Sequence, residues 1–438
     1  MRTATDNTPP GALFGLALGL LVVLLMTISP LALIELGFAY DEAGGNALEK
    51  FHPATLLAAM LVLIAAAHAG NPIPWFLANA TESRSLLPYL GVIVLLIVFS
   101  VRVVHLPFTP FFDTFVLPVM IYLLFKDMSD GRGHKLALLI HVLMMVNACI
   151  GIFEFASGLR LTPMVAGGIL IEDDWRSTAL LGHPLANASL TGCYLLLLSL
   201  GGGRDLPASL RMLAFLVNAA GMIVFGGRAA TVLLIVLLAV LAMTRLADIL
   251  RGRQFSPASV LKGLILVPVS GLIMVAAAEA GFFDRFISRF FDDKGSAETR
   301  TEMFELFNHI PFGELLLAPD ARQIETLQFH YGLDFGIESF WISFVLSYGL
   351  VASLVFFAAL LAFSIDVMRR VGAGSPWAFV FFYGVASTSV SLSAKSPLLG
   401  VFTLMLLVLL RLPRQAVSSA SVASRRRRPA LRQATRAA

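Results

Sequence analysis

Apolar residues in this chain fall into long blocks, separated by polar or Gly/Pro-containing breaks. Each block is close to the roughly 20 helical residues needed to cross a bilayer core about 30 Å thick. The blocks run approximately 12–36, 53–70, 86–104, 108–125, 136–157, 179–200, 211–226, 229–247, 261–281, 339–364, 376–392 and 397–411. They predict an all-α polytopic membrane protein of about twelve transmembrane helices. Pro30, Pro118, Pro184 and Pro268 interrupt or border blocks and blur their ends without changing the class. The first block is long enough to span and no small-residue cleavage pattern follows it, so it is expected to remain as the first helix.

Composition agrees with the pattern: 58% apolar residues, 14% charged residues and a mean hydropathy of +0.83 exclude an ordinary soluble domain. The two cysteines, Cys149 and Cys193, both fall inside apolar blocks, which argues against a disulfide framework or a thiolate metal site.

Charge then orients the bundle, because Lys and Arg flanking spans are retained in the cytoplasm. With the N-terminus inside, Lys126, Arg132 and Lys135 share one inner loop. Arg245, Arg251, Arg253 and Lys262 share another, and Arg369 with Arg370 a third. The inner side then holds 21 of the 32 Lys and Arg but only 7 of the 28 Asp and Glu. Both termini are expected in the cytoplasm of a bacterial inner membrane. The chain divides into a bundle, 1–411, and a basic tail, 412–438, whose run Arg425 to Arg428 suits solvent or anionic lipid.

Most connections are short, but residues 282–338 make a long outer loop, and long connections are where function concentrates. Within it Asp293 or Ser296 is placed to cap a helix from about Ala297 to Ile310. Met303, Phe304, Phe307 and Ile310 lie on one side of that helix, and Pro311 and Gly313 end it. Arg300 shares the apolar side, which directs a guanidinium toward headgroup depth.

Three outer arginines run against the charge bias. Beside Arg300 there is Arg176, in Trp175-Arg176-Ser177-Thr178-Ala179-Leu180-Leu181-Gly182-His183-Pro184 at the entry to the sixth block. There an early helix would align Arg176, Leu180, His183 and Asn187, whereas an irregular entry before Pro184 would leave Arg176 and His183 in a polar pocket. Arg228 sits in Phe225-Gly226-Gly227-Arg228-Ala229, a tight turn between two apolar blocks. An arginine fork stays charged and matches phosphate oxygens, and flanking glycines permit close approach of a bulky anion. Lys395, in a serine-rich turn between the last two blocks, is a fourth cation of the same kind. Arg300 has a plainer reading as an arginine snorkelling to lipid phosphate or pairing with a local carboxylate, and Arg228 as an interfacial arginine.

The Arg176 segment, the Gly227 to Ala229 turn, and the late loop with Ser296-Ala297-Glu298-Thr299-Arg300 followed by Pro311-Phe312-Gly313 resemble the O-antigen ligase and Wzy-type polymerase superfamily. Arg176 to Leu185 is similar in particular to the VpsF-like exopolysaccharide branch. The resemblance implies a GT-C-like glycosyltransferase membrane fold. It further implies transfer or polymerisation, on the periplasmic side, of glycan repeat units carried on undecaprenyl diphosphate. Arg228 and Arg300, with Arg176 as companion and Lys395 as a further cation, would hold the donor diphosphate. The partners implied are that donor, a glycan acceptor, membrane lipids and other polysaccharide synthesis and export proteins, with no nucleic acid. No cofactor is expected, and no metal: the outer side offers no Asp-x-Asp pair and no His- or Cys-rich cluster.

Transfer also needs a base for the acceptor hydroxyl. Where the ligases place a histidine before the span that follows the long loop, this chain reads Gly336-Ile337-Glu338-Ser339-Phe340-Trp341. Glu338 is the substitute candidate, with His330 and His183 as rivals, and the departure favours a polymerase or exopolysaccharide transferase over a core ligase. A transporter or flippase of lipid-linked glycans is the competing class, with Glu35, Asp113, Glu154 and Glu279 as ion-coupling groups. A scaffold for a synthase complex is the third.

Overall fold

The computed structural model describes residues 11–252 except 42, 43, 106, 167, 168, 172 and 173, isolated positions between 279 and 288, and residues 302–412 except 334 and 335. The chain is an all-α membrane protein. Its helices are α1 (Ala12–Thr27), α2 (Pro30–Glu35), α3 (Pro53–His68), α4 (Pro72–Glu82), α5 (Leu86–Val104), α6 (Thr109–Phe125), α7 (Asp130–Ser157) and α8 (Pro184–Gly202). There follow α9 (Ala208–Phe225), α10 (Arg228–Leu250), α11 (Phe312–Leu317), α12 (Ala321–His330), α13 (Phe340–Tyr348), α14 (Leu350–Arg370), α15 (Ser375–Ala386) and α16 (Leu398–Leu409). The strand content among the described residues is one short hairpin pairing Val165–Ala166 with Ile169–Leu170. Among the described residues six helices are long and apolar enough to cross a membrane, or seven if the bent pair α3–α4 counts as one span. Four shorter apolar helices accompany them.

Proline sets where helices begin. α2, α3, α4 and α8 each open on Pro, whose missing N–H has no partner to lose there. The residue before it caps the turn: Ser29 accepts from Ala32 N–H, His52 from Ala54, Asn71 from Ile73 and His183 from Leu185. Pro118 instead falls inside a helix. The π-helical stretch Phe112–Val116 directly precedes it and absorbs the lost hydrogen bond.

Two blocks divide where the hydrophobic pattern ran on. Block 12–36 breaks at Ile28 and Ser29 into α1 and α2. Block 339–364 breaks at Gly349, whose φ of 79° is the left-handed region a side chain disfavours. There α13 folds back on the start of α14, with the Phe344 and Phe356 rings stacked at 4.8 Å and Trp341 against Phe357 at 4.5 Å. The long apolar helix is therefore α14, which continues to Arg370. Block 261–281 lies outside the described residues apart from Glu279 and Gly281.

The centre of the bundle is α8, α16 and the second half of α6. Every residue of Leu117–Phe125 and of Leu398–Leu409 is buried. Around them α5, α10 and α14 expose Leu95, Ile235 and Leu354 outward, as lipid-facing helices do. Of the long loop, residues 302–337 build a small core of their own from Met303, Leu306, Ile310, Ile324, Leu333 and Ile337, against Ile342 and Leu346 of α13. The helix expected to end before Pro311 does end there, tightened to a 3-10 turn at Leu306–His309. The buried stripe is Met303, Leu306 and Ile310, and Phe304, one position off it, is 62% exposed, although the helical pattern placed it on the same side.

One end of the bundle is basic and cross-linked. Lys126 and Arg370 both grip Glu82 at 2.6 Å, and Arg411 grips Asp205 at 2.6 Å. Asp205 also pairs with His134 at 2.8 Å. Burial alone would raise the Asp205 pKa, but the hydrogen bonds from Arg411 and His134 hold it below the usual carboxylate value.

Candidate functional site

At the other end, where α7 and α9 finish and α8 and α10 start, the Arg176 segment crosses the bundle as irregular chain. Pro184 prevents an earlier helix, so the irregular entry is the arrangement adopted. α7 and α8 pin the segment in place. Glu154 Oε2 accepts from the N–H groups of Thr178 and Ala179 at 2.8 and 2.9 Å, and its Oε1 accepts from Leu161 N–H at 2.8 Å. Asn147 accepts from Leu180 N–H at 3.1 Å, and Asn187 donates to Thr178 O at 2.6 Å. Ala179 is held at φ 38°, a strained value for a residue with a Cβ.

This pinning lays Arg176 across the Gly226-Gly227-Arg228 turn. Ser177 N–H donates to Val224 O at 3.1 Å, and a Cβ on Gly226 would stand 2.9 Å from Arg176 Cγ. Gly226 also closes α9 with φ 63°, so two demands meet at one residue. Gly227 lies directly against Ala188 of α8, and Arg228 is the first residue of α10, partly buried. A methyl at Gly227 would stand 2.4 Å from the Ala188 Cβ, an atom that can move only with its own backbone. Gly227→Ala is therefore expected to cost about 1–3 kcal/mol, seen as a lower thermal midpoint of the protein in detergent.

The sequence reading missed Arg176's partner. Asp174 accepts from Arg176 Nε at 2.8 Å and Nη2 at 2.5 Å and, through Oδ1, from the Arg176 backbone N–H at 2.9 Å. The signal was the Asp-x-Arg spacing, which lets an aspartate close a turn on the N–H two residues on. His183 is beside this pair. Its Nδ1 accepts the Leu185 N–H, which leaves the ring proton on Nε2. Burial, with Arg176 adding to it and Asp174 opposing, holds its pKa down to about 4. The unfolded chain takes up that proton near 6.5, so stability contributed by neutral His183 is full above 6.5 and lost as pH falls toward 4. His183→Asn is expected to flatten the acid side of a thermal-midpoint profile across that window.

Lys395 sits in a different cluster. Its ammonium is buried, donates to Tyr40 O at 2.5 Å and lies 3.6 Å from the Tyr40 ring centre. Burial lowers its pKa, opposed by Asp113 and Asp41. Tyr40 OH and His52 N–H in turn donate to Asp113, at 2.7 and 3.1 Å. Lys395 thereby ties the 387–397 turn to the first loop. Ser29, the cap of α2, abuts Gly182, and its neighbour Ile28 accepts from His52 Nε2 at 2.9 Å, which joins the two clusters.

Glu338 is partly buried at the entry to α13 and makes no hydrogen bond or ion pair with another described residue. His330 ends α12 exposed, with its ring against Tyr331. Arg300 lies outside the described residues. Of the seven candidates, the structure therefore brings together Arg176, His183 and the Arg228 turn. Of the four carboxylates considered for ion coupling, Glu35 and Glu279 are exposed, while Asp113 and Glu154 are spent on backbone and tyrosine donors. Among the described residues no group of three or more His, Cys, Asp or Glu side chains is arranged to hold a metal ion.

Compared with known protein families and with curated proteins, the chain matches none.

Proposed function

We propose that this protein transfers or polymerises glycan units carried on a lipid diphosphate, and that the Arg176–Arg228 end of the bundle holds the diphosphate. The observation that carries the reading is the packing of the Arg176 stem on Gly226, two residues before Arg228. Two guanidinium-bearing positions meet at the end of a membrane bundle, where a lipid-borne phosphate arrives. In this reading that end is periplasmic, the basic end with Lys126, Arg245 and Arg370 is cytoplasmic, and the span 261–281 helps complete about twelve crossings of a bacterial inner membrane.

The acceptor hydroxyl attacks the anomeric carbon, a new glycosidic bond forms, and the bond to the carrier oxygen breaks. Negative charge grows on the departing diphosphate, where arginine forks are most valuable. His183, neutral and protonated on Nε2, suits a donor to that anion better than a base, because its Nδ1 lone pair caps α8. The acceptor proton then goes to a carboxylate, and Glu338 remains the candidate. Transport of the same lipid is weakened as an alternative because the buried carboxylates it would use are already engaged.

The test is the full-length protein in nanodiscs with an undecaprenyl-diphosphate oligosaccharide. Longer glycans together with released carrier diphosphate support the proposal. Unchanged glycans there, with movement of the lipid between leaflets in proteoliposomes, would replace it by transport.

A further inference from the structure

At the basic end, a crevice of about 140 Å³ opens between Glu82, Ser83, Arg84, Tyr122, Asp366 and the pair Arg369 and Arg370. Its floor is committed. Ser83 and Tyr122 hydrogen bond to each other, Ser85 donates to Asp366 through N–H at 2.9 Å and Oγ at 2.5 Å, and Arg370 and Lys126 hold Glu82. Its rim is not. Arg84 is exposed and makes no hydrogen bond or ion pair with another described residue. Arg369, with a side chain 70% exposed, meets Asp366 at 3.2 Å in a surface pair of the kind worth little. Counting Lys126 and Asp127 with the lining groups, four cations face three carboxylates, and the excess falls on the two rim arginines.

The crevice also has a depth. It lies where α5 begins and α14 ends, and these two helices pack together and are long enough to cross the bilayer. Leading into it, α4 turns 106° from α3. α4 exposes Ile73 and Leu77 and buries Trp75, Asn79 and Ala80, the division of a helix lying in the membrane interface. Beside the crevice, Leu87 of α5 and Leu361 and Ile365 of α14 are exposed, an apolar lane running toward the bilayer interior.

We infer that this crevice binds the phosphate of an anionic diacyl phospholipid, bridged by Arg84 and Arg369, with the acyl chains along α5 and α14. The chemistry required is a phosphate oxygen pair for the guanidinium forks and an apolar tail for the lane. The site stands at the opposite end from the proposed donor site and does not depend on it.

Native mass spectrometry of the full-length protein in detergent, titrated with phosphatidylglycerol or phosphatidylcholine, tests it. The protein is expected to retain phosphatidylglycerol in preference. Arg84→Gln/Arg369→Gln should weaken that retention roughly tenfold or more, with helicity and elution volume unchanged. Arg251→Gln, which removes an exposed charge at the same end outside the crevice, should not weaken it. Equal retention by the double variant, or equal loss in Arg251→Gln, overturns the site. Displacement of the lipid by excess inorganic phosphate would show a bare anion site and overturn the lipid assignment.

Discussion

Arg176→Gln is expected to lower glycan extension by about 10²- to 10³-fold, the scale for removing one preorganised donor from a developing anion. The loss should fall on kcat as well as on apparent donor affinity, because the fork matters most as charge leaves with the diphosphate. Arg228→Lys keeps the charge and removes the planar fork. It should cost at least about tenfold in the same assay. The interpretation of Arg176→Gln needs a control, since it strands Asp174, whose side chain is only 16% exposed. Asp174→Asn supplies one. The amide oxygen still accepts the Arg176 backbone N–H and the fold should survive, but the internal competitor for the guanidinium is gone. The single Asp174→Asn protein should bind a lipid diphosphate more tightly, whereas Asp174→Asn/Arg176→Gln should be as stable as wild type and still inactive. Activity within about threefold of wild type in Arg176→Gln and in the double variant would remove the diphosphate role.

What the sequence made legible follows from periodicity and punctuation. The span ends at Ser157 and Phe225 are set by features that work locally, a left-handed Gly158 and a left-handed Gly226, whereas α14 runs on to Arg370, past the expected end at 364. The divisions at Ser29 and Gly349 were hidden because apolar residues continue on both sides, so hydropathy could not see a backbone reversal that only Gly349's positive φ permits. At the site, chain neighbours were visible and cross-chain ones were not. That the chain enters α8 irregularly, with Arg176 near His183, was one of two open readings, and Pro184 decides it. That Arg176 rests on Gly226 comes from a helix pair, α7 with α9, whose close approach at Gly221 and Ala148 has no local signature. Lys395 looked like a free outer cation because the carbonyl and ring that hold it belong to Tyr40, far away in sequence. Glu154 looked like an ion-coupling carboxylate for the same reason. A membrane-helix acid reads as functional by default, and the three backbone N–H groups it satisfies come from chain the sequence leaves unplaced.

Glu154→Gln is accordingly expected to destabilise the protein by about 3 kcal/mol, more than its conservative shape suggests. The carboxylate accepts three backbone N–H groups on its two oxygens in a site where it is 4% exposed. An amide offers one oxygen and turns its NH₂ toward donors, so at least one of the three N–H groups, two of them buried, loses its partner. The released stretch is the one carrying Thr178 and Ala179, directly after Arg176. Ala179 is held at φ 38° by the grip of Glu154 on its N–H, and such a conformation costs an alanine on the order of 1–2 kcal/mol. In Glu154→Gln that strain pulls the segment out of place. Glycan extension should therefore fall with stability even though Glu154 touches no substrate. A second substitution separates this from general unfolding. Ala179→Gly removes the penalty of the left-handed conformation, so Glu154→Gln/Ala179→Gly should regain about 1 kcal/mol and part of the lost extension. Ala179→Gly alone should leave extension near wild type. Unfolding in detergent followed by steric trapping, beside the extension assay, measures both. If Glu154→Gln is as stable as wild type, or if glycine at 179 restores nothing, Glu154 does not position the Arg176 segment.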